Sequence, residues 1–233
     1  METEETIILD SENYKLKIDE LRQLLKSSKT FEQAIKLALE VHALTHTARV
    51  SSASESTYCD ELCLDLKDED YSVMPTKKDE TIAWQLWHIA RIEDLVGNLL
   101  IARQAQILDR YSAKLQVKIR DTGNVMSDEE IIDFSRRVDK SALLNYRDEV
   151  GRQTRKIIDA LTPADLKRKP AAADLERLVS EGGLLKAQGS LWLKDFWGKH
   201  SVAGLVLLPL TRHHMMHLPD SMRIKQFIYH TVK

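Results

Sequence analysis

The segment TIAWQLWHIARIEDLVGNLLIA, residues 81–102, constrains the fold more than any other part of the chain. It contains no proline and a single glycine, and it reads as the centre of a helix from about Asp79 to Leu108. At about 100° per residue, Trp84, His88, Ile92, Leu95, Leu99 and Ala102 fall on one stripe, while Glu93 and Asp94 project elsewhere. The stripe is apolar except for His88, so one imidazole faces the interior. A buried polar group without partners costs about 1–3 kcal/mol. His88 is therefore either a hydrogen-bonded core histidine or a ligand.

Turn-forming residues are scarce, with eight Gly and five Pro in 233 residues. Few turns in a chain this long favour long helices over many short strands. The sequence is 43% hydrophobic and 30% charged, the composition of a folded globular protein rather than a disordered one. No internal repeat, low-complexity tract or long linker divides it. Residues 1–233 are expected to form a single helical domain. An N-terminal extension helix lies within 1–29, and a bundle over 30–230 carries an irregular insertion near 174–210. The formal net charge of −2 gives no sign of a nucleic-acid-binding surface. The opening METEETIILDSENYK is acidic, and its apolar part, Ile7–Leu9, is too short for a signal peptide. The uncharged stretch SVAGLVLLPL has about ten residues and a proline, too short to span a bilayer. A soluble cytoplasmic protein without membrane or nucleic-acid partners is expected.

The helices follow from pattern and capping. Residues 12–27 form a charged amphipathic helix with Leu16, Leu21, Leu24 and Leu25 as its apolar positions. Thr30 is placed to N-cap a helix from Phe31 to about Val50. A short helix is expected around 57–66. After the turn residues DTGN at 121–124, Ser127 and Glu130 make a capping box, opening a helix to about Leu161. Thr162-Pro163 starts a short helix as N-cap and N1. Short helices and loops fill 174–210, and a last helix runs to about Tyr229. The fold class is all-α, a four-helix bundle with additional short helices whose long connections exclude a simple up-down-up-down order.

Histidines concentrate near the end, in TRHHMMHLPD at 211–220. His213 and His217 are four apart and share a helix face, the spacing with which two histidines on one helix bind one metal. His214 is rotated about 100° away and does not join them. His42 and His46 have the same spacing, and for either pair the alternative is a solvated helix face. His42 and His46 are expected not to be ligands, because their helix has no comparable partner motif. An inward His88 facing an inward His213–His217 pair would make a three-histidine site with open coordination positions, as in catalytic rather than structural sites. Asp220, three residues past His217, is a candidate to orient it or to act as a fourth ligand. Pro219 should kink the helix just after the pair. Cys59 and Cys63 read as two reduced thiols, with a redox or metal role as the alternative.

The segments TIAWQLWHIARIEDLVGNLL and TRHHMMHLPDSMRIKQ, with DTGNVMSDEE between them, resemble the DinB-like superfamily of bacterial four-helix-bundle proteins. The likeness covers roughly residues 30–230. It implies that one histidine of the second bundle helix and an HxxxH pair of the last hold a divalent metal, here His88, His213 and His217. It also implies activity as a metal-dependent thiol transferase or isomerase using a low-molecular-weight thiol such as bacillithiol or mycothiol. A related bundle forms the iron-binding part of ergothioneine-type sulfoxide synthases, which need a second catalytic domain.

On that basis the first expectation is an enzyme whose metal lowers the pKa of a thiol and acts on a small-molecule substrate. Zinc is the default metal, and nickel, iron and manganese also suit imidazole. Arg91 and Arg212 are each read as either a carboxylate-binding helper or a surface arginine, and Glu93 and Asp94 as solvated or paired, with support of the metal ligands as the alternative. The second expectation is a non-catalytic bundle that binds metal, a ligand, a partner or a second copy as a homodimer. Trp84, Trp87, Trp192 and Trp197 are packing or interface residues in either case.

Overall fold

A computed structural model describes residues 11–77 and 79–231; the acidic start of the chain, read above for a leader, lies partly outside them. Among the described residues every regular element is helical. The first helix, α1 (Ser11–Leu24), buries Tyr14, Ile18 and Leu21, with Leu25 just beyond. Leu16 is not on this face and is 69% exposed. Relative to Tyr14 it lies about 200° round the helix, opposite the buried stripe.

Helix α2 (Phe31–Thr45) ends earlier than its apolar spacing suggested, because His46 takes an extended backbone at its C-terminus. A separate turn, α3 (Ala48–Ser51), follows. Thr30 does not cap α2; its hydroxyl donates to the carbonyls of Leu24 and Ser27. Helix α4 (Tyr58–Cys63) opens on a capping box between Thr57 and Asp60.

Helix α5 (Ile82–Asp94) starts where the Thr81 hydroxyl accepts from the Trp84 N–H at 3.1 Å. It continues as a π-helical segment, Leu95–Ala102, that stops at Arg103 in a left-handed conformation. All thirteen residues of α5 are buried, so it runs through the middle of the protein and has no solvent face.

The expected Ser127–Glu130 capping box opens α6 (Asp128–Arg137). The helix then breaks at Val138, which is extended and buried, and restarts as α7 (Lys140–Asp159). The break is capped: the Asp139 carboxylate accepts from the Ala142 N–H at 2.7 Å. Thr162-Pro163 begins only a turn, held by Asp165 bonding back to Thr162. The irregular region contains α8 (Ala172–Ser180), α9 (Gln188–Lys199) and α10 (Val202–Leu207). A second π-helical segment, Leu208–Arg212, leads into α11 (His214–Thr231), which continues through Pro219.

Four helices make the bundle. α5 packs on α7 and α11, and α2 packs on the same two, which closes the ring; α1 covers α2. The apolar core has two lobes. One contains Val41 of α2, Ile92 and Leu95, Ile157 of α7 and Leu210; the other contains Leu86 and Ala90 of α5, Val150 of α7 and Leu218 of α11. α5 and α7 enter both lobes, and α5 also carries His88 and Glu93, around which His42, His46, His213, His214 and His217 gather as a polar layer. None of the described helices is long and apolar enough to cross a membrane.

Candidate metal centre

The polar layer holds two separate groups of side chains. His88, His213 and His217 converge: each offers a ring nitrogen, and these atoms lie within 4.8 Å of one another. His217 Nε2 and His213 Nε2 are 3.2 Å apart. The ring centroids of His88 lie 5.2 Å from His213 and 4.8 Å from His217.

Hydrogen bonds fix which nitrogens face inward. His88 Nδ1 is 2.8 Å from the Thr122 carbonyl, which only accepts, so Nδ1 carries the hydrogen and Nε2 is left as a lone pair. His217 Nδ1 meets Gln85 Oε1, and Gln85 Nε2 donates to Glu80 at 3.1 Å, which sets the amide orientation. His217 therefore also donates from Nδ1 and presents Nε2. Two Nε2 atoms at 3.2 Å match the edge of about 3.3–3.4 Å expected when a tetrahedral ion holds both at bonds near 2.0–2.1 Å. Such outer hydrogen bonds are characteristic of ligating histidines. The donor set fits a divalent ion.

The protonation state fits as well. Burial, reinforced by the neighbouring His217, lowers the His88 pKa to about 3 against the opposing Thr122 bond. Burial lowers His217 to about 4, and burial with its two histidine neighbours holds His213 well below the usual imidazole range. All three are neutral at physiological pH, the form that binds metal.

A strap, residues 120–123, holds α5 in register. Four consecutive carbonyls accept from one face of that helix: Arg120 from Arg91 Nε, Asp121 from Trp87 Nε1, Thr122 from His88 and Gly123 from Trp84 Nε1. Gly123 has φ +78°, and a Cβ there would stand 2.7 Å from Trp84 Nε1, so glycine is required. Trp84 stacks on His88 at 4.7 Å and 8° between planes.

Several sequence expectations change here. Arg91, Glu93 and Asp94 are fully buried, because α7, α11 and the strap wrap the side of α5 that a helical wheel assigns to solvent. Arg91 pairs with Asp94 at 2.9 Å and does not reach the histidines as a helper. Asp220 is exposed and lies 3.7 Å from Arg223; Gln85 is what orients His217. Of the tryptophans, Trp84, Trp87 and Trp197 are buried packing residues, whereas Trp192 is 49% exposed. Cys59 and Cys63 are free thiols; Cys59 is buried and accepts from Arg147 at 3.2 Å.

His42 and His46 do have partners. They stack at 4.3 Å and meet Glu93, forming a second group with ligand atoms within 4.8 Å. Their own helix could not show this partner, because His46 is off the helix and Glu93 is buried. His214 points to this group, as its 100° offset from His213 requires.

One wall of the first group is open. His88 and His213 line a cavity of about 280 Å³ with Ile92, Leu193, Phe196, Trp197 and Met216, and Arg212 stands at its exposed rim.

The sequence model described as the DinB superfamily matches residues 57–219, somewhat less than the span of the resemblance. A search of the curated proteins found no match. The match covers more than half of the chain, and with its all-helical bundle the chain belongs to the DinB superfamily.

Proposed function

We propose that the protein is a metal-dependent enzyme acting on a small molecule in the cavity beside His88 and His213, in the class of thiol S-transferases and isomerases. The observation that carries this reading is the cavity itself: it reaches two of the three histidines and is lined mainly by apolar side chains. A sealed metal site would have no such wall. His88, His213 and His217 would hold the ion, zinc by default. When bound, it would supply a Lewis acid that lowers the pKa of a thiol or water.

The chain's own residues supply the rest. Thr122 and Gln85 hold two imidazoles in one tautomer, which removes the ring reorientation that binding would otherwise need. Ile92, Leu193, Phe196 and Trp197 exclude water and take an apolar substrate body. Arg212 is exposed at the rim, placed for a carboxylate of the thiol or substrate.

The test uses protein purified without a histidine tag. His217→Ala should lose the metal at this site while the helical content is unchanged, because the apolar lobes are buried with or without the ion. Transfer activity, assayed with a panel of thiols and electrophiles, should fall to background in the same variant. Metal bound as tightly by His217→Ala would overturn the site. Tight binding with no turnover across the panel would favour the non-catalytic, metal-binding bundle.

A further inference from the structure

The second group of the polar layer takes no part in the site above. We propose that His42, His46 and Glu93 form a second site for a divalent first-row metal ion, sealed from solvent and structural in role. The three side chains are completely buried. Glu93 Oε1 lies 2.8 Å from His42 Nε2, and Oε2 lies 3.0 Å from His46 Nε2 and 3.4 Å from His214 Nε2.

These contacts do not add up to a hydrogen-bonded network. Only the His42–Glu93 contact has hydrogen-bond geometry. His46 Nε2 and Glu93 Oε2 have no hydrogen-bond partner among the described residues, although they lie 3.0 Å apart. A nitrogen and a carboxylate oxygen at 3.0 Å without an aligned N–H are in contact without a hydrogen bond. A buried carboxylate oxygen left so is costly. A cation bonded to N and O near 2.0–2.2 Å would satisfy these atoms together.

Arg147 separates ligand from support. Its Nη2 lies 3.5 Å from His214 Nδ1. A guanidinium only donates, so His214 Nδ1 accepts and its Nε2 carries the hydrogen toward Glu93. His214 thus stands behind the carboxylate and is not a ligand. His46 Nδ1 has no hydrogen-bond partner among the described residues, so no hydrogen bond prevents that ring from presenting Nε2 as a lone pair, whereas His42 Nε2 donates to Glu93 Oε1 without the ion and would give up that proton on binding it. Two imidazoles and a carboxylate suit zinc or iron(II). Full burial closes the site to substrate, and Glu93 bound through both oxygens would bring the donor atoms to four, the number found in structural centres. The ion would tie the end of α2 to α5 and, through His214, to the helix that carries His217.

The experiment is to refold tag-free protein from denaturant with excess Zn²⁺, desalt it and count zinc per chain. Wild type should hold two ions. His213→Ala/His217→Ala should hold one, and adding His42→Gln and His46→Gln should remove it. A doubly substituted His213→Ala/His217→Ala protein that folds by circular dichroism yet retains no zinc would overturn the proposal. Glu93 would then be an ion-free carboxylate held by imidazoles and balanced by Arg147. Zinc retained after all four substitutions would overturn it too. If the four-fold variant does not fold, Glu93→Gln in the His213→Ala/His217→Ala background replaces it and should remove the ion. The two assignments fail separately: one ion that survives His213→Ala/His217→Ala and is lost on replacing His42 and His46 supports this site and defeats the first.

Discussion

His213 and His214 are adjacent in the chain yet belong to different clusters: His213 Nε2 is 3.2 Å from His217, and His214 Nε2 is 3.4 Å from Glu93. The π-helical turn just before them sets this division. The His213 N–H bonds to the Leu208 carbonyl five residues back, which adds one residue to the turn and fixes which side each ring takes. The two clusters therefore share α5 and α11 and sit back to back, one open to a cavity and one sealed.

Gln85 is a positioning residue for His217. Gln85→Ala should weaken zinc binding at the first site by about 10–100-fold with little change in fold, the usual effect of losing an outer hydrogen bond to a ligating histidine. Gln85→Glu should restore much of it, since a carboxylate also accepts from Nδ1. Chelator competition measures both. Equal affinities for wild type and Gln85→Ala would show that Gln85 does not hold the ring.

Asp94 is the anchor between α5 and the chain that follows it. Its carboxylate accepts from Arg91, Tyr146, Asn98 and the backbone of Ile107 and Leu108, all at 2.7–3.0 Å. Asp94→Ala would leave Arg91 as a buried charge without its counter-ion, a loss of about 3–5 kcal/mol. Urea denaturation should show a large fall in midpoint, and a change below about 1 kcal/mol would contradict the anchor role.

How much of this was legible in the sequence can be followed on single helices. The inward face of His88 and the shared face of His213 and His217 came from periodicity, because each depends on positions within one helix. Ser127–Glu130 was legible for the same reason. Glu93, Asp94 and Gln85 were not. A helical wheel sends polar positions to water, and it cannot show that α5 is enclosed on every side. Their partners lie far along the chain: Tyr146 for Asp94, His217 for Gln85, His42 and His46 for Glu93. His46 was misplaced because a pattern of apolar spacing does not report a helix end whose next residue is extended.

Gly151 gives the sealed cluster its room. A Cβ at this position would stand 2.6 Å from His46 Nδ1 and 3.0 Å from Val50 Cγ1. Gly151→Ala must therefore displace the His46 ring or the α3–α7 contact. Gains in helix propensity of about 1 kcal/mol should be outweighed by an overpacking cost of about 1–3 kcal/mol. Thermal unfolding of the variant should occur at lower temperature than wild type. A higher melting temperature would mean that the ring moves aside freely.

Acid should destabilise the metal-free protein early, and the sign follows from the buried histidines. Burial lowers His46 and His88 to about 3 and His217 to about 4, and holds His213 and His214 well below their ordinary value. In the unfolded chain each titrates near about 6.5. Between those limits the unfolded state binds more protons, so stability is complete above about pH 6.5 and falls as the pH drops toward 4. Each such histidine contributes a slope of up to about 1.4 kcal/mol per pH unit. Glu93, lowered by its histidine neighbours against its burial, acts in the same direction at lower pH still. The urea midpoint of the metal-free protein should therefore decline steadily from pH 7 to pH 5, and Zn²⁺ should shift the decline to lower pH by holding the imidazoles unprotonated. A midpoint unchanged across that range would mean that the folded protein takes up protons at these histidines as readily as the unfolded chain, contrary to their burial.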